Sequence, residues 1–291
     1  MTQKRAEILL ASGIAARATS LLFSKIAMNG MGIFNLLAAR FLMAFVLLAV
    51  VFFKRLRHIK RHTLVRGAIM GGLFFLMLST ELTGLKSTPS STVSLLENTA
   101  IILVPMTEAV LRHKLVAIGG VALLTGQSGG FTPGMVLAVM AAVLYAAAII
   151  TTDRFSHEDD PLTLGIVQVG TLGLLALVSS FVFEAPHLPQ SGTQWLMIAG
   201  LAVICTGFGF TLQPVAQSHT TAQRAGLFCA LSPACATLLG AAVLREHISV
   251  MGMCGIALIL LSLLVPQLWQ LAEKKGITLL PRHAVPAVRR A

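Results

Sequence analysis

Ten apolar stretches, each about 17 to 24 residues long, divide this chain, and that is the length needed to cross a hydrocarbon core of about 30 Å. They run over residues 8–28, 32–53, 67–85, 90–111, 115–131, 134–152, 162–183, 194–213, 221–244 and 248–271. The fifth is the weakest, since glycines and Gln127 interrupt it. Charged residues make up 11% of the 291, where a soluble domain spends about a quarter. What the stretches leave over is too short for a sizeable soluble domain. The sequence therefore reads as an all-α integral membrane protein with ten transmembrane helices.

Basic residues tend to collect on the cytoplasmic side of a membrane. With the N-terminus inside, seventeen of the 22 Lys and Arg residues fall in inside segments, including the run KRLRHIKRH from Lys54. Only Lys25, Lys86 and Arg245 fall outside, and Arg17 and Arg40 lie within spans. This split predicts an even number of spans with both termini cytoplasmic. The net charge of +11 then belongs to the loops, and no nucleic-acid partner is expected. Cys205, Cys229, Cys235 and Cys254 sit in apolar segments without a CxxC pair and read as small filler. The first stretch lacks a small-residue cleavage site, so it reads as span one rather than a removed signal.

The two halves resemble each other. "LLAARFLMAFVLL" around Arg40 aligns with "LGIVQVGTLGLLAL" around Gln168 at an offset of 128, which also pairs Arg17 with Tyr145 and Lys25 with Asp153. "VLRHKLVAIG" from Val110 aligns with "VLREHISVMG" from Val243 at an offset of 133. Five spans per half is an odd number, which forces the second half to lie upside down relative to the first. The loop charges agree: KRLRHIKRH is strongly basic, and its counterpart EAPHLPQSGTQ has no Lys or Arg. The expected layout is a cytoplasmic N-terminus (1–7), two inverted five-helix repeats (8–131 and 132–271) and a basic cytoplasmic tail (272–291).

Ionisable and polar groups inside a span are expensive unless they face protein or water, so each is a candidate for the transport path. Gly13, Arg17, Ser20 and Ser24 share one helical face of span one. Arg17 there is read as a cation for a substrate carboxylate or as half of a helix-locking ion pair. Span four carries Ser94, Glu97 and Asn98. Glu97 reads as the site of a substrate ammonium or a coupling proton, or as a structural partner of Arg17 or Arg40. Span three ends in Ser79, Thr80 and Glu81, and an offset of 132 pairs Glu81 with Gln213, both placed to gate. Tyr145, Phe208 and Phe228 are candidate cavity walls, whereas Arg40 reads as a helix-packing residue. Gly67 with Gly71, and Gly207 with Gly209, predict close helix approach. The one histidine pair at HxxxH spacing, His58 and His62, lies in the basic loop run without an HExxH motif, and no GxxxxGK[ST] loop exists, so neither metal, cofactor nor ATP hydrolysis is expected.

The close of the second half, "LSPACATLLGAAVLREHISVMGMCGIALILLSLL" from Leu231, with Pro233 and Glu246 in place, resembles the drug/metabolite transporter superfamily in its EamA-type branch. "GMVLAVMAAVLYAAAIITTDRF" from Gly134 is similar to that family's opening helix, with Tyr145 where an aromatic often stands. The resemblance covers about residues 8–268. The first half departs from it, with His113 where Glu246 stands in the second and no match to Pro233. The resemblance implies a secondary transporter of the bacterial inner membrane, closest in look to amino-acid exporters, with a small-molecule substrate, the lipid bilayer and protons as partners. Export rather than import is implied by the resemblance alone. The residues bear on two other classes. An intramembrane enzyme would need a nucleophile–base pair, of which Ser94 and Glu97 are the nearest approximation. A non-transporting scaffold would gain little from buried polar groups in several spans.

Overall fold

The computed structural model describes residues 3–28, 30–88, 93 and 133–219, which are helices joined by turns and short loops, with no strand among them. The chain runs through α1 (Gln3–Ala27), α2 (Ile33–Val51), the single turn α3 (Phe53–Leu56) and α4 (Arg61–Leu85). After residue 132 come α5 (Pro133–Glu158), α6 (Pro161–Phe183), α7 (Gly192–Gly200), a π-helical segment (Leu201–Phe210) and α8 (Thr211–Gln217). The last three form one continuous rod of 26 residues. Five of these helices are long and apolar enough to cross a membrane: Ile33–Val51, Arg61–Leu85, Pro133–Glu158, Pro161–Phe183 and Gly192–Gln217. They coincide with the predicted second, third, sixth, seventh and eighth spans, and α1 covers the first. Apart from Val93, the predicted fourth, fifth, ninth and tenth spans lie outside the described residues.

Local sequence sets the helix ends. Pro161 opens α6 with its φ already helical, and the Asp160 carboxylate accepts from the Thr163 amide at 3.3 Å. Ser191 and Gln194 form a reciprocal capping box on α7. The turn into α2 passes through Gly30, whose φ of +86° suits glycine. The π-helical segment runs up to the turn before Pro214. Pro214 has no N–H to return to the preceding turn, and the ladder widens just before it. The Thr211 hydroxyl bonds the Thr206 carbonyl at 3.3 Å inside the widened turn.

Helix α6 is the centre of the packing, lying against α2, α4 and α8. It runs antiparallel to α2, and glycines let the two backbones meet. A Cβ on Gly173 would stand 3.0 Å from the Leu42 amide nitrogen, and one on Gly170 would stand 2.7 Å from the Phe45 ring. The predicted GxxxG pair also packs closely: Cβ atoms at Gly67 and Gly71 would run into Val167 and Thr171 of α6. Helix α5 packs on α4, while α1 packs on the π-helical segment, α7 and α8. Apolar side chains turned outward, such as Val50, Leu174, Val178 and Phe181, make a surface suited to lipid rather than water.

Both ends of the α2–α6 pair are tied. At one end the Glu184 carboxylate accepts from the Phe34 and Asn35 amides at 3.2 and 3.0 Å, satisfying donors at the start of α2. Asn35 completes the clasp, donating to Glu184 and to the Ala185 carbonyl and accepting from the His187 amide. At the other end Arg55 meets Asp160 at 3.4 Å. Beside it, the α5–α6 junction binds the start of α4: Arg66 pairs with Glu158 at 2.5 Å and with Asp159 at 2.7 Å. His62 and Thr63 also reach Asp159, which is 5% exposed. Burial pushes the Asp159 carboxyl up, but hydrogen bonding to Arg66, Thr63 and His62 outweighs it and holds the group below its ordinary 3.8.

Candidate functional site

The buried interior holds the polar groups that lipid would reject, and Arg40 is the largest of them. It projects from α2 at 1% exposure. Its Nε donates to Thr206 Oγ1 of the π-helical segment at 2.7 Å, and its Nη1 donates to Ser20 Oγ of α1 at 2.8 Å. The guanidinium carbon lies 4.8 Å from the Phe41 ring centre and 5.6 Å from that of Phe210. A lysine could not make two divergent bonds from a planar fork while stacked on two rings. An unpartnered cation at such depth costs several kcal/mol, so its cradle is a condition of folding as well as a candidate site.

From Arg40 a run of aromatic rings crosses the bundle. Phe41 meets Phe210 edge to face at 5.5 Å, Phe210 meets Phe74 of α4 at 5.4 Å, and Phe74 meets Tyr145 of α5 at 6.3 Å. The polar end of this wall is the guanidinium and the far end is Tyr145, which is buried. The arrangement offers a cation with two hydroxyls beside it and an aromatic face, a set that fits an anionic group attached to an apolar body.

The bundle buries other amides and hydroxyls as well. Gln168 of α6 is 1% exposed, and neither its amide nitrogen nor its amide oxygen has a hydrogen-bond partner among the described residues. Leaving such a group unsatisfied costs about 1–3 kcal/mol. The same holds for the Gln217 amide of α8, and for the Ser24 and Thr152 hydroxyls. Glu81 of α4 and Gln213 of α8 are both buried.

The sequence-derived candidates separate into four groups. Ser20, Tyr145, Glu81 and Gln213 are buried or half-buried in the bundle, and Ser20 directly holds Arg40. Ser79 and Thr80 bond carbonyls of their own helix, Ser79 to Phe75 and Thr80 to Leu76 and Met77, which occupies their donor protons. Phe208 of the π-helical segment is 37% exposed, so it is no fully buried wall. Arg17 belongs to α1, but its side chain is outside the described residues, as are Ser94, Glu97, Asn98 and Phe228. Cys205, read as filler, donates its thiol to the Ala16 carbonyl at 3.1 Å.

Arg40 and Gln168 were absent from the candidates. The usable signal was present for both, since each is a strongly polar residue about seven positions into an apolar span. The sequence reads Arg40 as a packing residue; its burial between two halves of the chain makes it the largest buried polar group of the described interior.

Residues 132–265 match the EamA-like transporter family. Among curated proteins, an uncharacterized transporter of Archaeoglobus fulgidus is 25% identical over 134 residues, which is 46% of this chain and 47% of that protein. The match thus spans about half the length of that relative. A solved crystal structure, 19% identical, superposes with a TM-score of 0.69 over 94% of this chain and 99% of that one. At that identity the likeness is one of fold.

Proposed function

We propose that this chain, whose second half matches the EamA-like transporter family, is a secondary transporter rather than an enzyme. Its cargo is a small polar metabolite, with amino acids as the first class, moved outward across the inner membrane by alternating access. Both termini face the cytoplasm, and protons serve as the coupling ion. The ten helices form two inverted repeats, over 8–131 and 132–271.

The observation that carries the reading is Arg40. It is a fully buried cation, held by Ser20 from the first half and by Thr206 and Phe210 from the second. A group so placed senses any movement of one half against the other. It also gives a substrate carboxylate a partner where lipid offers none.

The packing supports the inverted layout. The offset of 128 carries Leu42 onto Gly170 and Phe45 onto Gly173. The contact of Leu42 with Gly173 and that of Phe45 with Gly170 therefore exchange with each other, as contacts across a two-fold axis must. Helix α1 packing on the second half's third rod, and α5 packing on α4, is a second reciprocal pair.

Arg17, Ser94, Glu97 and Asn98 are assigned to the same path, with Glu97 taking the substrate ammonium or the coupling proton. The test is counterflow in proteoliposomes against a panel of labelled amino acids, with and without a proton gradient. Exchange of at least one amino acid is expected. A purified, folded protein that exchanges none of them under any gradient ends the amino-acid assignment.

A further inference from the structure

The repeat that pairs Arg40 with Gln168 also says what should surround Gln168. Ser20 and Thr206 hold Arg40. The offset of 128 carries Ser20 onto Ala148, and the offset of 132 carries Thr206 back onto Phe74. Both Ala148 and Phe74 are fully buried, and neither side chain has a hydrogen-bonding atom. The second half has kept a polar side chain at the equivalent of Arg40 and replaced the two hydroxyls that would satisfy it. This accounts for a buried amide whose nitrogen and oxygen both lack a partner among the described residues.

Gln168 is also well placed. Its own carbonyl lies 2.8 Å from where a Cβ on Gly71 of α4 would stand, and one turn earlier Gly165 faces the Thr211 backbone of α8. The residue therefore lies where α6 meets both third rods, the helices that carry Glu81 and Gln213.

We infer that the Gln168 amide is a substrate-binding group, and that it takes the head of an α-amino acid. The inference rests on the transport reading and adds the residue that reads the zwitterion. A neutral amide presents a donor beside an acceptor, and an amino-acid head presents the complement: its carboxylate accepts from Nε2 while its ammonium donates to Oε1. A solute with only one of these groups leaves half of the amide unsatisfied, so the site discriminates against it.

The test measures binding to the purified full chain by ligand-induced shift in melting temperature. The probes are the twenty L-amino acids and, for each binder, the acid lacking the ammonium and the amine lacking the carboxylate. Gln168→Met keeps length and removes both hydrogen-bonding atoms. It should melt at the same temperature as the native chain or higher, and bind amino acids at least tenfold more weakly. Gln168→Glu should reject the acid analogue more strongly than the amine, a change of selectivity that a structural role would not produce. Native affinity in Gln168→Met, or unaltered selectivity in Gln168→Glu, overturns the inference and leaves an amide satisfied by water alone. If the native chain neither binds nor exchanges any amino acid, the amino-acid assignment has failed, and this inference with it. Intact exchange in the native chain with unchanged affinity in the variants isolates the failure to Gln168.

Discussion

Gly165 of α6 lies so close to Thr211 of α8 that a Cβ on the glycine would stand 2.5 Å from the Thr211 carbonyl oxygen. The obstacle is backbone, which cannot swing aside as a side-chain tip can. On the same helix Gly170 meets the Phe45 ring of α2, and Gly173 meets the Leu42 amide and side chain. Helix α6 is thus approached by backbone or ring on several sides, and its small residues set how near its neighbours come. Without a hydrophobic drive between helices in lipid, that close approach is the main source of their association.

Gly165→Ala should therefore destabilise the bundle by about 1–3 kcal/mol, the usual range for forced overpacking. Gly72 of α4 is the matched control, because a Cβ there would meet nothing within 4 Å. Gly72→Ala should be neutral or stabilising by up to about 1 kcal/mol, since alanine is the better helix former. Thermal unfolding of both variants in the same detergent decides it. Equal effects would mean that the glycines of α6 are tolerated rather than required.

The carboxylate of Glu184 should matter more than its loop position suggests. It bonds two amides at the start of α2 and the Asn35 side chain, joining the end of α6 to that helix. Glu184→Ala removes an N-terminal cap and a favourable charge at the positive helix end, a loss of about 1–2 kcal/mol. Glu184→Gln retains an acceptor and should lose less. Gly32→Ala should perturb the same clasp, because its Cβ would run into the Glu184 carboxylate. Comparing melting temperatures of the three single variants checks the order.

Stability should fall in acid through Asp159. Its carboxyl is held below 3.8 in the folded protein, so folding favours the charged form. The stabilisation is fully present above the unfolded value of about 3.9. It is lost as pH drops through the lower folded value. Asp159→Asn should lower stability at neutral pH and make the acid side of the stability profile shallower. Melting temperature measured from neutral pH down to about 3 reads both effects. A variant with the native slope would show that the junction with His62, Thr63 and Arg66 contributes nothing to acid sensitivity.

The helices were legible because apolar length is a one-dimensional property: residues 32–53 and 162–183 needed only counting to become α2 and α6. The glycine contacts at Gly67 and Gly71 followed from spacing alone. The cradle of Arg40 did not. Ser20, Thr206 and Phe210 are separated from it by 20 to 170 positions, and only the packing of α1, α2 and the π-helical segment unites them. The widened turn that places Thr206 has no simple sequence period. Ser79 and Thr80 went the other way. Their polarity suggested a path, yet their hydroxyls bond their own helix, a choice invisible without the local geometry.

Arg40 offers the sharpest separation of structure from transport. Removing one partner of a buried charge leaves it uncompensated, so Thr206→Val should cost about 1–3 kcal/mol by orphaning Nε. Replacing the cation itself with an apolar residue of similar length, Arg40→Met, removes the need for the cradle and should be neutral or mildly stabilising. Thr206→Val in the Arg40→Met background should then cost little, giving a coupling of about 0.5–3 kcal/mol in the double-mutant cycle. Counterflow separates the second role. Arg40→Met should exchange substrate at least tenfold more slowly than the native chain despite its intact fold. Arg40→Lys should recover only part of the rate, because one ammonium cannot hold Ser20, Thr206 and a carboxylate in the geometry of a guanidinium. Full exchange by a folded Arg40→Met would make Arg40 a packing residue after all and move the anion site elsewhere in the bundle.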